Sequence, residues 1–214
     1  MVRFDSLNKF DQLWLTSDTH YAHNNICRGT TRWDLSQHGG DNSVRDFDTL
    51  EEMNDTIIKG INENVKENDV LMHAGDVAFG GAHRILEFAE RVNCKNIILT
   101  YGNHDHNIRT KGLHKHYFEN VLPAADTQYI QFKGNNIVVN HYPMAIWHQG
   151  HKGAFHAFGH VHGSYAGLGK SFDVGIDNVY NAIGEYRPIT IDEFLDFCNI
   201  REAFLDSHHN RNTN

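Results

Sequence analysis

The sequence predicts an α/β domain, and three observations carry that expectation. Apolar runs that stop at polar or glycine-bearing ends recur in "QLWLTS", "DVLMHAGD" and "NIILTYGNHD", the pattern of buried strands. The stretches between these runs place apolar residues at helical spacing, so strands alternate with helices and parallel pairing follows. The second half changes to a hairpin and further strands, and antiparallel strands joining a parallel sheet suggest a sandwich.

Residues 12–17 form the first strand. "RDFDTLEEMNDTIIKGINENV" then aligns Phe47, Leu50, Ile57, Ile58, Ile61 and Val65 on one helical face. A second strand starts at Asp69, and "AHRILEFAERV" makes the next helix through Ile85, Leu86, Phe88, Ala89 and Val92. The third strand starts at Asn96. "TQYIQF", a turn at "KGNN" and "IVVNHYP" read as a hairpin, with later strands near "AFHAFGH" and "SFDVGID". "ITIDEFLDFCNI" opens a last helix that Thr190 or Asp192 can cap, with Phe194, Leu195, Phe197 and Cys198 as its apolar surface. No repeat, low-complexity tract or linker interrupts the chain. One domain over residues 1–204 is expected, with a polar, disordered tail over 205–214.

The chain has 214 residues, 40% of them hydrophobic, enough for one continuous core. A formal net charge of -8 opposes a stable grip on duplex nucleic acid, which needs a basic face. Cys27, Cys94 and Cys198 lack paired spacing, so neither a disulfide framework nor a cysteine zinc site is indicated. No apolar run approaches membrane-spanning length, and the N-terminus lacks the core of a signal peptide; a cytoplasmic location is expected, with no membrane partner. Oligomeric state is not legible in the sequence.

Histidine is the unusual feature, with 17 copies. Functional groups in open α/β sheets collect beyond the carboxyl ends of strands, and here those ends carry candidates. "SDTH" places Asp18 and His20 on one side of an extended segment; "GD" supplies Asp76; "GNHD" supplies Asn103, His104 and Asp105; "NHYP" supplies His141; "GHVH" supplies His160 and His162. Imidazole nitrogens with carboxylate and amide oxygens, and no thiolate, suit divalent ions such as manganese, iron and zinc.

The ordered motifs D-x-H, G-D, G-N-H-D, H and G-H-x-H, running from Asp18 to His162, resemble those of calcineurin-like metallophosphoesterases. The flanks "SDTHYAHNNI", "HYPMAIW" and "SFDVGIDN" are similar to small stand-alone phosphoesterases of bacteria and their phages. The resemblance implies a four-layered α/β/β/α sandwich of mixed sheets and a centre of two divalent ions, manganese first, with iron, zinc or nickel as alternatives. Carried over by motif, Asp18, His20 and His162 hold one ion, Asn103, His141 and His160 the other, and Asp76 bridges them. The implied reaction is in-line attack of a metal-activated water on phosphorus, with His104 stabilising phosphoryl oxygens or protonating the leaving group and Asp105 orienting the His104 ring.

Other residues carry weaker expectations. His23 and Arg28 follow the first motif and can reach a substrate phosphate, Arg28 as a bidentate clamp, although a solvated loop accounts for them equally. His73 is expected to fill the sheet core with a hydrogen bond on its ring, and Trp147 and Tyr142 to pack in the core. "AGLGK" lacks Walker spacing. Relatives that dephosphorylate proteins carry an arginine soon after the G-D motif and end the third motif in glutamate, unlike "GDVAFGG" and "GNHD". Repair nucleases of the superfamily append duplex-binding regions for which this chain has no room. The expected substrate is therefore a small phosphodiester or phosphomonoester of nucleotide type. The alternatives are a nuclease acting on short oligonucleotides and a catalytically silent interaction scaffold.

Overall fold

The computed structural model describes residues 2–27 and 45–201. In chain order these form β1 (Asp5–Ser6), β2 (Leu13–Thr16), α1 (Leu50–Asn64), β3 (Val70–His73), α2 (Ala82–Arg91), β4 (Ile97–Leu99) and α3 (His106–Arg109). They continue through β5 (Thr127–Phe132), β6 (Asn135–Asn140), β7 (Phe155–Phe158), β8 (Ser171–Asp173), α4 (Ile176–Ile183), β9 (Ile189–Thr190) and α5 (Ile191–Asn199). The tail expected over 205–214 and the candidate Arg28 lie outside the described residues.

Two sheets result, ordered β4-β3-β2-β9 and β1-β5-β6-β7-β8. Side-chain alternation along each strand explains how they stack. Leu13, Leu15, Val70, Met72 and Ile98 point from the smaller sheet into one apolar cluster with Ile130, Phe132, Ile137, Val139 and Ala157 of the larger. The alternate residues Leu71, Ile97 and Leu99 face the opposite way, into a second cluster with Met53, Ile57 and Ile61 of α1 and Ile85, Phe88 and Ala89 of α2. On the far side of the larger sheet, Val138 packs with Trp147 and Ala154, so the loop between β6 and β7 covers much of that face. α5 buries Phe194 and Cys198 beside the inter-sheet core.

Strands β2, β3 and β4 pair in parallel, as the alternating helices demand. The hairpin β5–β6 is antiparallel, with Thr127 opposite Asn140. Beyond it the expectation of antiparallel strands gives way: β6, β7 and β8 run parallel. Residues 141–154 and 159–170 are long enough to cross back, whereas tight turns would have reversed the chain. Both sheets thus deliver strand carboxyl ends to one rim, where a parallel bridge joins Ser17 to Gly175.

Candidate metal centre

All seven sequence-predicted ligands lie on that rim. Asp18 and His20 follow β2, Asp76 follows β3, Asn103 follows β4, His141 ends β6, and His160 and His162 follow β7. Their backbone departs from the expected extended geometry. Asp18, His20, Asp76, His160 and His162 have φ of 55°, 45°, 58°, 71° and 47°. L-residues avoid this left-handed region at a cost of roughly 1–3 kcal/mol each, and such strain concentrates at functional sites. The twists, rather than strand alternation, turn the side chains inward. Two glycines permit the approach: a Cβ on Gly102 would sit 2.1 Å from Asp76 Oδ1, and one on Gly159 would sit 2.2 Å from Asp18 Oδ2.

The ligand atoms form two neighbouring groups. His20 Nε2 lies 3.7 Å from Asp18 Oδ1 and 3.6 Å from Asp76 Oδ2, while His162 Nε2 lies 3.8 Å from Asp18 Oδ1. On the other side His141 Nε2 is 3.4 Å from Asp76 Oδ2 and 3.0 Å from Asn103 Oδ1, which also lies 3.0 Å from His160 Nδ1. Asp76 Oδ2 therefore touches both groups, and His160 and His162 separate between them. Ligand atoms of Asp18, His20 and His162 fall within 4.8 Å of one another, as do those of Asp18, Asp76 and His141.

The atoms facing each other are mostly acceptors. His141 Nδ1 donates to the Ala74 carbonyl at 2.9 Å, and His162 Nδ1 donates to Asp177 Oδ2 at 2.5 Å, so Nε2 is the nitrogen that each ring turns toward the carboxylates. Asp18 Oδ1 and His20 Nδ1 are buried without a hydrogen-bond partner. Burial opposes charge on His162, but Asp177 outweighs it and pushes the imidazole up to about 9. Burial likewise works against a proton on His141, and Asp76 more than offsets it, raising that pKa as well. Burial, followed by His162 and Arg45, holds His20 well below its ordinary range. Protons on His141 and His162 alone would leave Asp18 Oδ1 without a partner, whereas a divalent cation between Asp18 Oδ1, His20 Nε2 and His162 Nε2 would engage all three. The residues fit such ions.

Residues 12–198 match the family described as calcineurin-like phosphoesterase. The chain belongs to that family. An uncharacterized protein of Methanocaldococcus jannaschii is 32% identical over 96 residues, 44% of this chain and 47% of that protein, so the match spans about half the relative's length. A crystal structure of a protein of unknown function from Aquifex aeolicus aligns with a TM-score of 0.58 and 23% identity over 85% of this chain and 96% of that one; this likeness concerns the fold. A phosphoesterase from E. coli aligns at a TM-score of 0.38 and 16% identity over 77% of this chain and 78% of that one.

Among the family motifs, G-N-H-D divides its work differently from expectation. The His104 backbone N–H donates to Asp76 Oδ1 at 2.8 Å, while its exposed ring lies 5.2 Å from His20 and 5.4 Å from Phe79 between centroids. Asp105 does not orient that ring. Its carboxylate accepts from the N–H groups of Asp76, Val77 and Gly102 at 2.8, 3.0 and 2.8 Å, because the chain turns it inward beneath the loops. It is a brace for the loops that carry Asp76 and Asn103. His23 packs against Phe79 at 3.9 Å and His20 at 5.4 Å, at the edge of the centre. Tyr142 is also corrected: it is 48% exposed and lies over His160 at 4.5 Å, whereas Trp147 is buried as expected. His73 fills the core, with Nε2 on Thr19 Oγ1 at 2.9 Å.

Sequence reasoning missed Arg45, Asp173 and Asp177, all buried at the rim. Asp173 accepts from the N–H groups of Gly163 and Gly175, both at 2.8 Å, anchoring the end of "GHVH". The flank "SFDVGIDN" held both aspartates, and a carboxylate three residues before α4 with another in its first turn was the available signal. Arg45 offered none.

Proposed function

We propose that this family member is a phosphoester hydrolase dependent on two divalent ions, with a small nucleotide-type ester as substrate. The observation carrying the proposal is the convergence of Asp18 Oδ1, His20 Nε2, Asp76 Oδ2 and His141 Nε2, with Asp18 Oδ1 buried and without a hydrogen-bond partner. Asp18, His20 and His162 would hold one ion; Asn103, His141 and His160 the other; Asp76 would be shared. Manganese suits this mixed oxygen and nitrogen set, as do iron, zinc and nickel. Bound there, such ions supply Lewis acidity at the phosphoryl oxygens and lower the pKa of water.

The protein's own groups do the rest. His104, whose ring is exposed beside His20, would donate to a phosphoryl oxygen or to the departing alkoxide. Phe79, 39% exposed beside His104, and Tyr142 beside His160 flank the centre, and their open faces favour an ester bearing a planar ring.

The test is hydrolysis of bis-p-nitrophenyl phosphate, p-nitrophenyl phosphate and a nucleotide panel with manganese added or chelated. Metal-dependent turnover is expected. His104→Ala should keep its metal yet lose roughly 10²–10⁴ in kcat on esters with poor leaving groups. Metal-replete protein inert across the panel would instead favour an interaction scaffold.

A further inference from the structure

We infer that Arg45 and Asp177 form a positioning unit for one ion of the pair, the Asp18–His20–His162 position, and bear on the Asn103–His141–His160 position only through the His160 N–H, which donates to Asp18 Oδ2 at 2.9 Å. The inference rests on the two-ion reading above. Arg45 enters just before α1 and is buried. Its Nε donates to Asp177 Oδ1 at 2.6 Å, and Nη2 donates to Asp177 Oδ2 at 3.1 Å, a forked pair. Nη2 also donates to the Asp18 carbonyl at 2.6 Å, and Nη1 to the Thr19 carbonyl at 3.1 Å and Met53 Sδ at 3.6 Å. A guanidinium has five N–H donors, and these five contacts use them all.

The far side of the pair reaches the same position. Asp177 Oδ2, held by Arg45, accepts from His162 Nδ1 at 2.5 Å. That contact fixes the proton on Nδ1, aims Nε2 at Asp18 Oδ1, and keeps the His162 ring stacked on His20, 5.1 Å between centroids at 15°. The carbonyls of Asp18 and Thr19 lie between the two left-handed ligands Asp18 and His20. One cation thus holds the loop that offers Asp18 and His20 and the carboxylate that orients His162.

A buried ion pair gains little net stability over apolar packing, because desolvation offsets its attraction. Its value here is orientation, the role that outer partners of metal-binding imidazoles commonly have. The other position has separate supports: His141 Nδ1 donates to the Ala74 carbonyl, and the His104 N–H holds Asp76 Oδ1. Neither support involves Arg45 or Asp177.

Manganese titration of the full chain by calorimetry, with metal content per chain and manganese electron paramagnetic resonance, tests this. Wild type should take two ions and give a spin-coupled spectrum. Asp177→Asn and Arg45→Met should bind one ion with wild-type affinity and the other 10- to 100-fold more weakly, giving an isolated-ion spectrum at concentrations that load wild type fully. Arg45→Lys, which keeps charge without the fork, should fall between. Circular dichroism of the metal-free variants checks folding; if Arg45→Met does not fold, the isosteric Asp177→Asn decides. Folded Asp177→Asn with both affinities unchanged, or with both equally reduced, overturns the inference. Wild type that binds no ion overturns the functional reading itself and this inference with it.

Discussion

His156 illustrates how one side chain ties stability to pH. It is fully buried on the outer face of the larger sheet, where Nδ1 donates to the Val138 carbonyl at 3.0 Å and Nε2 accepts from the Met144 N–H at 3.0 Å. Protonating Nε2 would set two donors against each other, and burial already lowers the pKa from 6.5 to about 4. The unfolded chain then binds more protons than the folded one below about pH 6.5, so stability is complete above that value and falls as pH drops toward 4. The loss amounts to roughly 3 kcal/mol at full extent. Urea denaturation of metal-free protein between pH 7 and 4 should show such a slope, to which buried His73 and His20 add in the same direction, and His156→Gln should reduce it; an unchanged slope counts against the assignment. The same scale shows what the chain made legible. Asp18, His20, Asp76 and Asn103 could be found because ligand types sit beside local strand-end signals. Arg45 could not, because its partner Asp177 stands 132 positions away and only the fold brings their charges together.

Helix α5 shows the same contrast for elements. Thr190 and Glu193 form a capping box: the Thr190 hydroxyl accepts from the Glu193 N–H at 3.2 Å, and Glu193 Oε2 accepts from the Thr190 N–H at 2.8 Å. Arg187 clamps the Glu193 carboxylate with contacts at 2.6 and 3.1 Å. Of the two capping candidates, Thr190 is therefore the one used. Thr190→Ala should cost about 1 kcal/mol in denaturant unfolding while leaving metal affinity unchanged; a loss of metal binding would mean that α5 also shapes the rim. Local signals of this kind made α1, α2, α5 and β2 to β4 readable, but not α4, whose first residues fall within the "SFDVGID" stretch expected to be a strand. They could not specify that β7 and β8 run parallel to β6, since pairing direction depends on how the long connections traverse the molecule. Nor did alternation reveal the inward twists after β2 and β7, which follow from contacts across the rim.

For the whole molecule, the ligand set spans the sandwich. Asp18, His20, Asp76 and Asn103 come from the smaller sheet, and His141, His160 and His162 from the larger. Ions bound to both would favour the assembled state by mass action, about 2.7 kcal/mol at one hundred times the dissociation constant. In a chain of this size that corresponds to a melting shift on the order of 5–10 °C. Scanning calorimetry with manganese and with chelator should show the shift, and equal midpoints would count against ions shared across the sheets. Strand runs alternating with helical spacing predicted a layered domain, but this dependence of one sheet on the other becomes visible only when the two sets of strand ends meet.

The five left-handed side chains at the rim carry one more implication. Glycine would occupy each of those twists with less conflict, yet it has nothing to offer a cation. Foldability alone disfavours such a rim, so the five twists mark a local frustration that binding a cation would account for.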